Sequence, residues 1–336
     1  TPKNKIIYQY FCCKILMTEK ITFKNFTLHK RSIAKWSNLL NYEFDKSSNK
    51  IVNIIQKDTK KIFIIRKKNS YKLIKVYLNK NNRNLFNREI EGYRFYSKKK
   101  TFKIPKLLNH SQNSKISFIE IEYIDGQKVN FFDYNKIFRK NIKLSNNISN
   151  KTYINQVSKY YSLVKKKYFI KIKKEIEKFL KKKIFKLNIN VSFTHGDLAH
   201  YNCLKKNYNY YVFDFEYFRE RILIFDHINW FFHPIASNIS IYLISNKFNL
   251  KSKFFMKIIS KLIKYFIYFK LKKILNILNI NKNDFSKYYL LYLFEKLYIL
   301  ESDIKSIKLL HNKNHTKKLI VTLKETIYYI LFNEKF

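Results

Sequence analysis

The chain has 336 residues, with 69 Lys or Arg against 23 Asp or Glu and a net charge of +46. That length holds one large domain or two modest ones, and an aromatic content of 18% excludes a disordered polymer. A charge of this size points to nucleic acid, anionic membrane or an anionic substrate. Here, however, it rests mainly on scattered Lys in a chain crowded with Asn, Ile, Phe and Tyr and holding three Gly and three Pro, the mark of A/T-rich codons. Cys12, Cys13 and Cys203 are too few and wrongly spaced for a disulfide framework or a zinc site. Charges inside the N-terminal apolar stretch argue against a signal peptide. No run of ~18 uncharged apolar residues predicts a transmembrane helix. A cytoplasmic protein is expected, with peripheral membrane contact left open.

In chain order, residues 1–45 carry weak mixed signals and read as an N-terminal extension. Ile51 to Ile55, Ile62 to Ile65 and Tyr71 to Leu78 are rich in Ile, Val, Phe and Tyr and separated by polar clusters, which predicts a three-strand meander. Residues 83–98 change to helical spacing, with Leu85, Phe86, Ile90 and Tyr93 on one side, and Pro105 follows. Ile116 to Ile124 is a further strand, ended by the turn signal Asp125-Gly126. Beyond Gly126 the pattern is mostly helical: residues 153–187 predict one or two amphipathic helices, Val191 to Thr194 a short strand, and the chain after 227 long helices. A small β-rich lobe over 46–125 therefore precedes a larger helical lobe over 126–336.

The chemistry concentrates in FTHGDLAHYNCLKKNYNYYVFDFEYF, residues 193–218. Asn202 to Lys205 and Tyr210 to Phe215 predict a hairpin about a turn at Lys206 to Asn209. Counting back from that turn sets Lys205 opposite Tyr210 and Asn202 opposite Phe213, so Asp214 lies beside Asn202, with Asp197 in the loop before. An amide oxygen and two carboxylates at one spot form a hard-oxygen set suited to Mg²⁺. Residues 194–226 hold five acids and four bases, a net of −1, where an even share of the chain's charge would be about +4.5. A bound cation is a physical reason for that departure.

His195-Gly196-Asp197-Leu198, Asn202 and Asp214-Phe215-Glu216 resemble the catalytic core of the aminoglycoside phosphotransferase and choline kinase-like family. The resemblance implies an α+β, two-lobed protein-kinase-like fold with a β-rich, nucleotide-binding N-lobe and a larger helical C-lobe. It implies ATP and Mg²⁺ as cofactors, Asp197 as the base toward the acceptor hydroxyl, Asn202 and Asp214 as metal ligands, and Glu216 assisting at the metal through water. It extends weakly over residues ~50–300. Tyr71 to Lys75 is similar to the strand whose Lys holds the α- and β-phosphates; Lys75 is chosen, although strand alternation alone does not separate it from Lys72. Its partner should be a Glu on the next helix. Glu89 lies one turn from both Leu85 and Tyr93, whereas Glu91 is rotated about 200° away. Ile119 to Tyr123 resembles the hinge strand, so the backbone at Glu122 and Tyr123 would meet adenine. Asp226 resembles a buried Asp that orients the catalytic loop, and His195 a loop-organising histidine. His200 and Cys203 carry no role.

Two departures stand out. The loop Lys57 to Lys61 lacks the glycine that lets backbone amides approach phosphates, and Ser47-Ser48-Asn49 is an alternative loop. No A-P-E segment follows Asp214, and no glycine follows Phe215, which disfavours protein substrates. The expected function is transfer of the ATP γ-phosphoryl group to a hydroxyl of a sugar, amino alcohol or related metabolite. Residues 227–336 carry 19 Lys and 6 acids, with Glu295, Glu301 and Asp303 the only acids close enough to start an acidic pocket, so a neutral or anionic acceptor is favoured. The alternatives are a non-catalytic nucleotide-binding or interaction protein on the same fold, or a basic nucleic-acid-binding protein. The latter would bind with steep salt dependence, and no specific nucleic acid is expected.

Overall fold

The structure, a computed structural model, describes residues 49–56, 60–67, 70–77, 82–99, 102–112, 117–138, 146–147, 153, 155, 157–184, 187, 189–245, 251–306 and 313–333. The N-terminal extension with Cys12 and Cys13, the Ser47-Ser48 loop and residues 57–59 lie outside the described residues. In chain order the main elements begin with β1 (Asn49–Gln56), β2 (Lys60–Lys67), β3 (Ser70–Tyr77), α1 (Arg83–Lys99), β4 (Leu107–Gln112), β5 (Ser117–Glu122) and β6 (Gln127–Lys128). They continue with β7 (Asn146–Asn147), β8 (Asn190–Thr194), β9 (Cys203–Lys206), β10 (Asn209–Val212) and β11 (Arg219–Ile222). Four long helices follow: α2 (Ile224–Ser245), α3 (Lys251–Ile277), α4 (Lys282–Ser306) and α5 (Lys313–Asn333). No helix among the described residues is long and apolar enough to cross a membrane.

The chain divides into two compact units, one drawn from Glu19–Asn141 and His195–Arg219, the other chiefly from Ile142–Thr194 and Glu220–Phe336. The first is built on an antiparallel sheet of order β1-β2-β3-β5-β4. Its β-branched and aromatic residues bury Ile62, Phe63, Ile65, Ile74, Val76, Ile119 and Ile121, and α1 adds Phe86, Ile90, Tyr93 and Tyr96. The same unit holds a second sheet of order β10-β9-β6. The β9–β10 register is the one expected, with Lys205 opposite Tyr210, and Phe213 N–H donates to Asn202 O at 3.1 Å. Asn207 takes a left-handed φ of 53° at the turn, which Asn tolerates better than most side chains.

The second unit is helical. The middle of helix α4 is buried on every side, with Tyr288 to Phe294 each at most 1% exposed, so it is the central element of that core. Helix α5 presents a single buried stripe, Leu319, Ile320, Leu323, Ile327, Ile330 and Leu331. Asn281 caps α4 reciprocally with Asp284: Asp284 N–H donates to Asn281 Oδ1, and Asn281 Nδ2 donates to Asp284 Oδ2, both at 2.8 Å. The described residues of 153–187 form two helical runs, in line with the one or two helices expected. The first joins a 3₁₀ turn at Ser158–Tyr160 to an α-turn at Tyr161–Val164, and the second runs through 3₁₀ (Lys167–Ile172), α (Lys173–Lys178) and π (Phe179–Lys183) geometry. The buried positions explain the break. Val164 and Phe169 are both buried, but on a continuous helix they would point about 140° apart. The chain goes extended at Lys166 (φ −76°, ψ 137°) and resets the face.

A buried ionic cluster pins this unit. Arg221 donates Nη2–H to Asp226 Oδ1 at 2.9 Å and Nη1–H to Glu295 Oε1 at 2.6 Å, and Tyr160 Oη donates to Glu295 Oε2 at 3.0 Å. Burial alone would lower the Arg221 pKa, but Glu295 and Asp226 outweigh it and the guanidinium stays charged. Replacing Arg221 by Met strands two buried carboxylates, so Arg221→Met is expected to lose about 3–5 kcal/mol of stability in urea denaturation. A loss below about 1 kcal/mol, the level of an exposed pair, would show that the cluster contributes little.

Candidate active site

The register of the first sheet sets four side chains on one face. Lys60 pairs with Tyr77 across β2 and β3, and Ile62 with Lys75, so Lys60, Ile62, Lys75 and Tyr77 project the same way. Helix α1 crosses that face with Glu89, which is fully buried. Lys75 Nζ donates to Glu89 Oε1, and Tyr77 Oη to Glu89 Oε2. Lys75 Nζ also reaches Asp214 Oδ1 at 2.9 Å. Lys72, on the opposite face, pairs with Glu120, and Glu91 is exposed. Of the two lysines, Lys75 and not Lys72 meets Glu89 and Asp214.

The loop after β8 carries the next groups. Gly196 has φ +88°, and a β-carbon there would sit 2.0 Å from the Tyr217 carbonyl oxygen, so only glycine fits. His195 is buried; its Nδ1 accepts from Asp197 N–H at 3.3 Å, which places the proton on Nε2 to donate to Phe213 O at 2.8 Å. It ties the loop to the strand end, the organising role expected of it. Asn202 Nδ2 donates to Asp197 O at 2.9 Å, and Tyr201 Oη approaches Asp197 Oδ2 at 3.4 Å. Asp197 is thus held through its backbone, and its half-buried carboxylate accepts from Tyr201.

Asp214 follows β10 with a φ of +73°. Left-handed backbone at a non-glycine residue is strained and concentrates at functional sites. Two contacts hold it there. Val212 N–H donates to Lys103 O at 2.9 Å, fixing the strand before it. Phe215 after it is fully buried, with its ring 4.9 Å from Tyr93, 5.2 Å from Tyr96 and 4.8 Å from His195. Gly92 makes room for that ring, since a β-carbon there would lie 2.5 Å from Phe215 Cβ. In an exposed helix Gly→Ala is stabilising by about 1 kcal/mol. Here overpacking reverses the sign, and Gly92→Ala is expected to cost about 1–3 kcal/mol in chemical denaturation. A stabilised Gly92→Ala protein would contradict the contact.

Lys60 and Glu216 complete the cluster. Lys60 is 1% exposed and contacts Asp214 Oδ1, with Glu216 Oε1 at 2.7 Å. Glu216 Oε1 is buried and accepts no well-directed hydrogen bond, so the Lys60 contact is Coulombic. Carboxylate oxygens of Glu89, Asp214 and Glu216 all lie within 4.8 Å of one another. Burial would lower the pKa of both lysines, but Asp214 leads the carboxylates that outweigh it, and both are raised. Burial, with Asp214 and Glu89 adding to it, raises Glu216. The sequence reading gave no role to Tyr77 or Gly92 and counted Lys60 in the loop, whereas Lys60 opens β2. Only the β2–β3 register, which puts Lys60 on the Lys75 face, could have singled out one Lys among so many.

The donor set fits a hard divalent cation: carboxylate oxygens of Glu89, Asp214 and Glu216 converge, one of them a buried Glu216 oxygen lacking a directed partner. The remaining candidates sit elsewhere. Glu122 ends β5 and Tyr123 follows it; their N–H groups donate to Lys106 O at 2.9 Å and Tyr71 O at 3.4 Å. Asp226 lies in the other unit, bonded to Arg221. Cys203 is buried, which pushes its thiol pKa up and leaves it unreactive. His200 is half-buried against Phe131 and Tyr201.

No protein-family model and no curated protein sequence matches the chain. Solved structures do share its fold. The aminoglycoside phosphotransferase APH(4)-Ia aligns with a TM-score of 0.54 at 9% identity, over 91% of this chain and 100% of that one. The amicoumacin kinase hAmiN, in complex with AMP-PNP, Ca²⁺ and Ami, aligns at 0.52 and 12% identity, over 89% and 93%. LicA in complex with AMP aligns at 0.52 and 14% identity, over 91% and 100%. The fold is the two-lobed protein-kinase-like fold of small-molecule kinases, an antiparallel sheet lobe and a helical lobe, as the motifs implied.

Proposed function

We propose that the protein is a small-molecule kinase that transfers the γ-phosphoryl group of ATP to a hydroxyl of a sugar, amino alcohol or related metabolite. The observation that carries this reading is Lys75, buried, bonded to Glu89 and 2.9 Å from Asp214, in the same compact unit as the Asp197 and Asn202 loop. In phosphoryl transfer the protein mainly positions groups and neutralises charge. Lys75, oriented by Glu89, holds the α- and β-phosphates. Asp197 orients the acceptor hydroxyl and takes its proton as the new O–P bond forms and the β,γ-bridging bond breaks. Asn202, Asp214 and Glu216 would hold Mg²⁺, whose chemistry there is neutralisation of phosphate charge. Since the N–H groups of Glu122 and Tyr123 already donate within the protein, adenine meets this strand through carbonyl oxygens, which accept more than one bond.

A neutral or anionic acceptor fits the charges of the helical unit. Glu295 is paired with Arg221, and Glu301 accepts from Tyr168 and lies 3.6 Å from Lys166 and 3.5 Å from Lys324. Neither carboxylate is set to receive a polycation. The test is ATP turnover against a panel of hydroxyl metabolites, with products identified by mass spectrometry. Mg²⁺-dependent phosphorylation of one of them is expected, and failure with every hydroxyl would reject the kinase reading. An aminoglycoside outperforming every sugar at physiological salt would reject the acceptor class alone. A non-catalytic nucleotide-binding protein is the second reading, favoured by Lys60 on the metal carboxylates; it predicts ATP binding without turnover.

A further inference from the structure

The cation that meets Asp214 and Glu216 in this structure is the protein's own. Lys60 opens β2, directly after the glycine-free turn, and its ammonium is buried against both carboxylates. Those are the carboxylates assigned to Mg²⁺ above, so this inference rests on that reading. A dication and an ammonium cannot share the position, because two like charges at contact distance repel by several kcal/mol even at an effective dielectric of about 20. Charge counting favours exchange over addition. Glu89, Asp214 and Glu216 are balanced by Lys60 and Lys75 to a net of −1. Adding Mg²⁺ with Lys60 retained gives +1 in a buried site, whereas Mg²⁺ in place of Lys60 gives zero.

A displaced Lys60 has a destination. No glycine lies between β1 and β2, and glycine is the residue that lets backbone amides approach phosphates most closely. A flexible four-carbon side chain with three donors can reach phosphates instead. We propose that Lys60 is an internal counter-cation: it occupies the metal position in the nucleotide-free protein and moves to the nucleotide phosphates when Mg²⁺ takes that position. Metal and nucleotide then favour each other's binding, since each removes an obstacle to the other.

The full-length protein and Lys60→Met are to be titrated calorimetrically with MgCl₂ alone and with ATP in EDTA. Lys60→Met is expected to bind Mg²⁺ alone at least tenfold more tightly, because no ammonium has to be displaced. It is expected to bind metal-free ATP at least tenfold more weakly, because a phosphate partner is gone. Thermal unfolding should show Mg²⁺ stabilising Lys60→Met far more than wild type. Lys60→Gln, which keeps one donor toward the carboxylates, serves if Lys60→Met does not fold. Equal or weaker Mg²⁺ affinity in the variant overturns the exchange. Unchanged ATP affinity, with wild-type binding intact, overturns the transfer to phosphate. If wild type binds no ATP, the kinase reading fails and takes the transfer with it, while tighter Mg²⁺ binding by the variant still supports the exchange.

Discussion

Asp197→Asn is expected to lower turnover by about 10²–10⁴-fold, the range for loss of a positioned acid–base group, with ATP affinity little changed. The substitution is confined to the reacting group. The bonds that shape the loop, Asp197 N–H to His195 Nδ1 and Asn202 Nδ2 to Asp197 O, involve the backbone of residue 197 and persist in the variant. Asn is isosteric and can still meet the Tyr201 hydroxyl. What it loses is a negative charge able to orient the acceptor hydroxyl and take its proton. Steady-state kinetics with the identified acceptor gives the answer: a fall in kcat with nucleotide binding intact supports the assignment, and full activity refutes it.

Asp214→Asn is expected to abolish the Mg²⁺-dependent part of ATP binding. Asn is the informative replacement because residue 214 has φ +73°, a conformation Asn adopts more readily than Ala, so backbone strain is not mixed with loss of charge. The carboxylate faces both Lys60 and Lys75, and it is a hard anionic ligand that an amide replaces poorly for a small dication. Asn202→Ala removes a neutral ligand and should have a milder effect. Calorimetry of ATP with and without Mg²⁺ decides: equal metal dependence in wild type and Asp214→Asn would reject the metal site.

Much of this arrangement was legible in local patterns. A hairpin's period of two placed Asn202 opposite Phe213, and the structure has that register. Helical periodicity put Glu89 rather than Glu91 on the buried side of α1. These are relations among residues within about one hairpin or two turns, where spacing alone sets the geometry. The pattern over 153–187 predicted one or two helices; the break between them at Lys165-Lys166 comes from packing, because Val164 and Phe169 must face the same core.

By itself, then, the sequence determined the strands, the α1 face, the hairpin register and the carboxylate-and-amide set on which the proposed chemistry rests. Tertiary structure decided which lysines belong to that set. Lys72 and Lys75 sit on opposite faces of one strand, and only packing of α1 on the Lys75 face separates them. Lys60 meets Asp214 across 154 positions of chain, and Gly92 is a glycine because Phe215 needs its space. Such contacts follow from how sheet, helix and hairpin pack, and in a chain with 69 basic residues no local pattern separates a buried lysine from a solvated one.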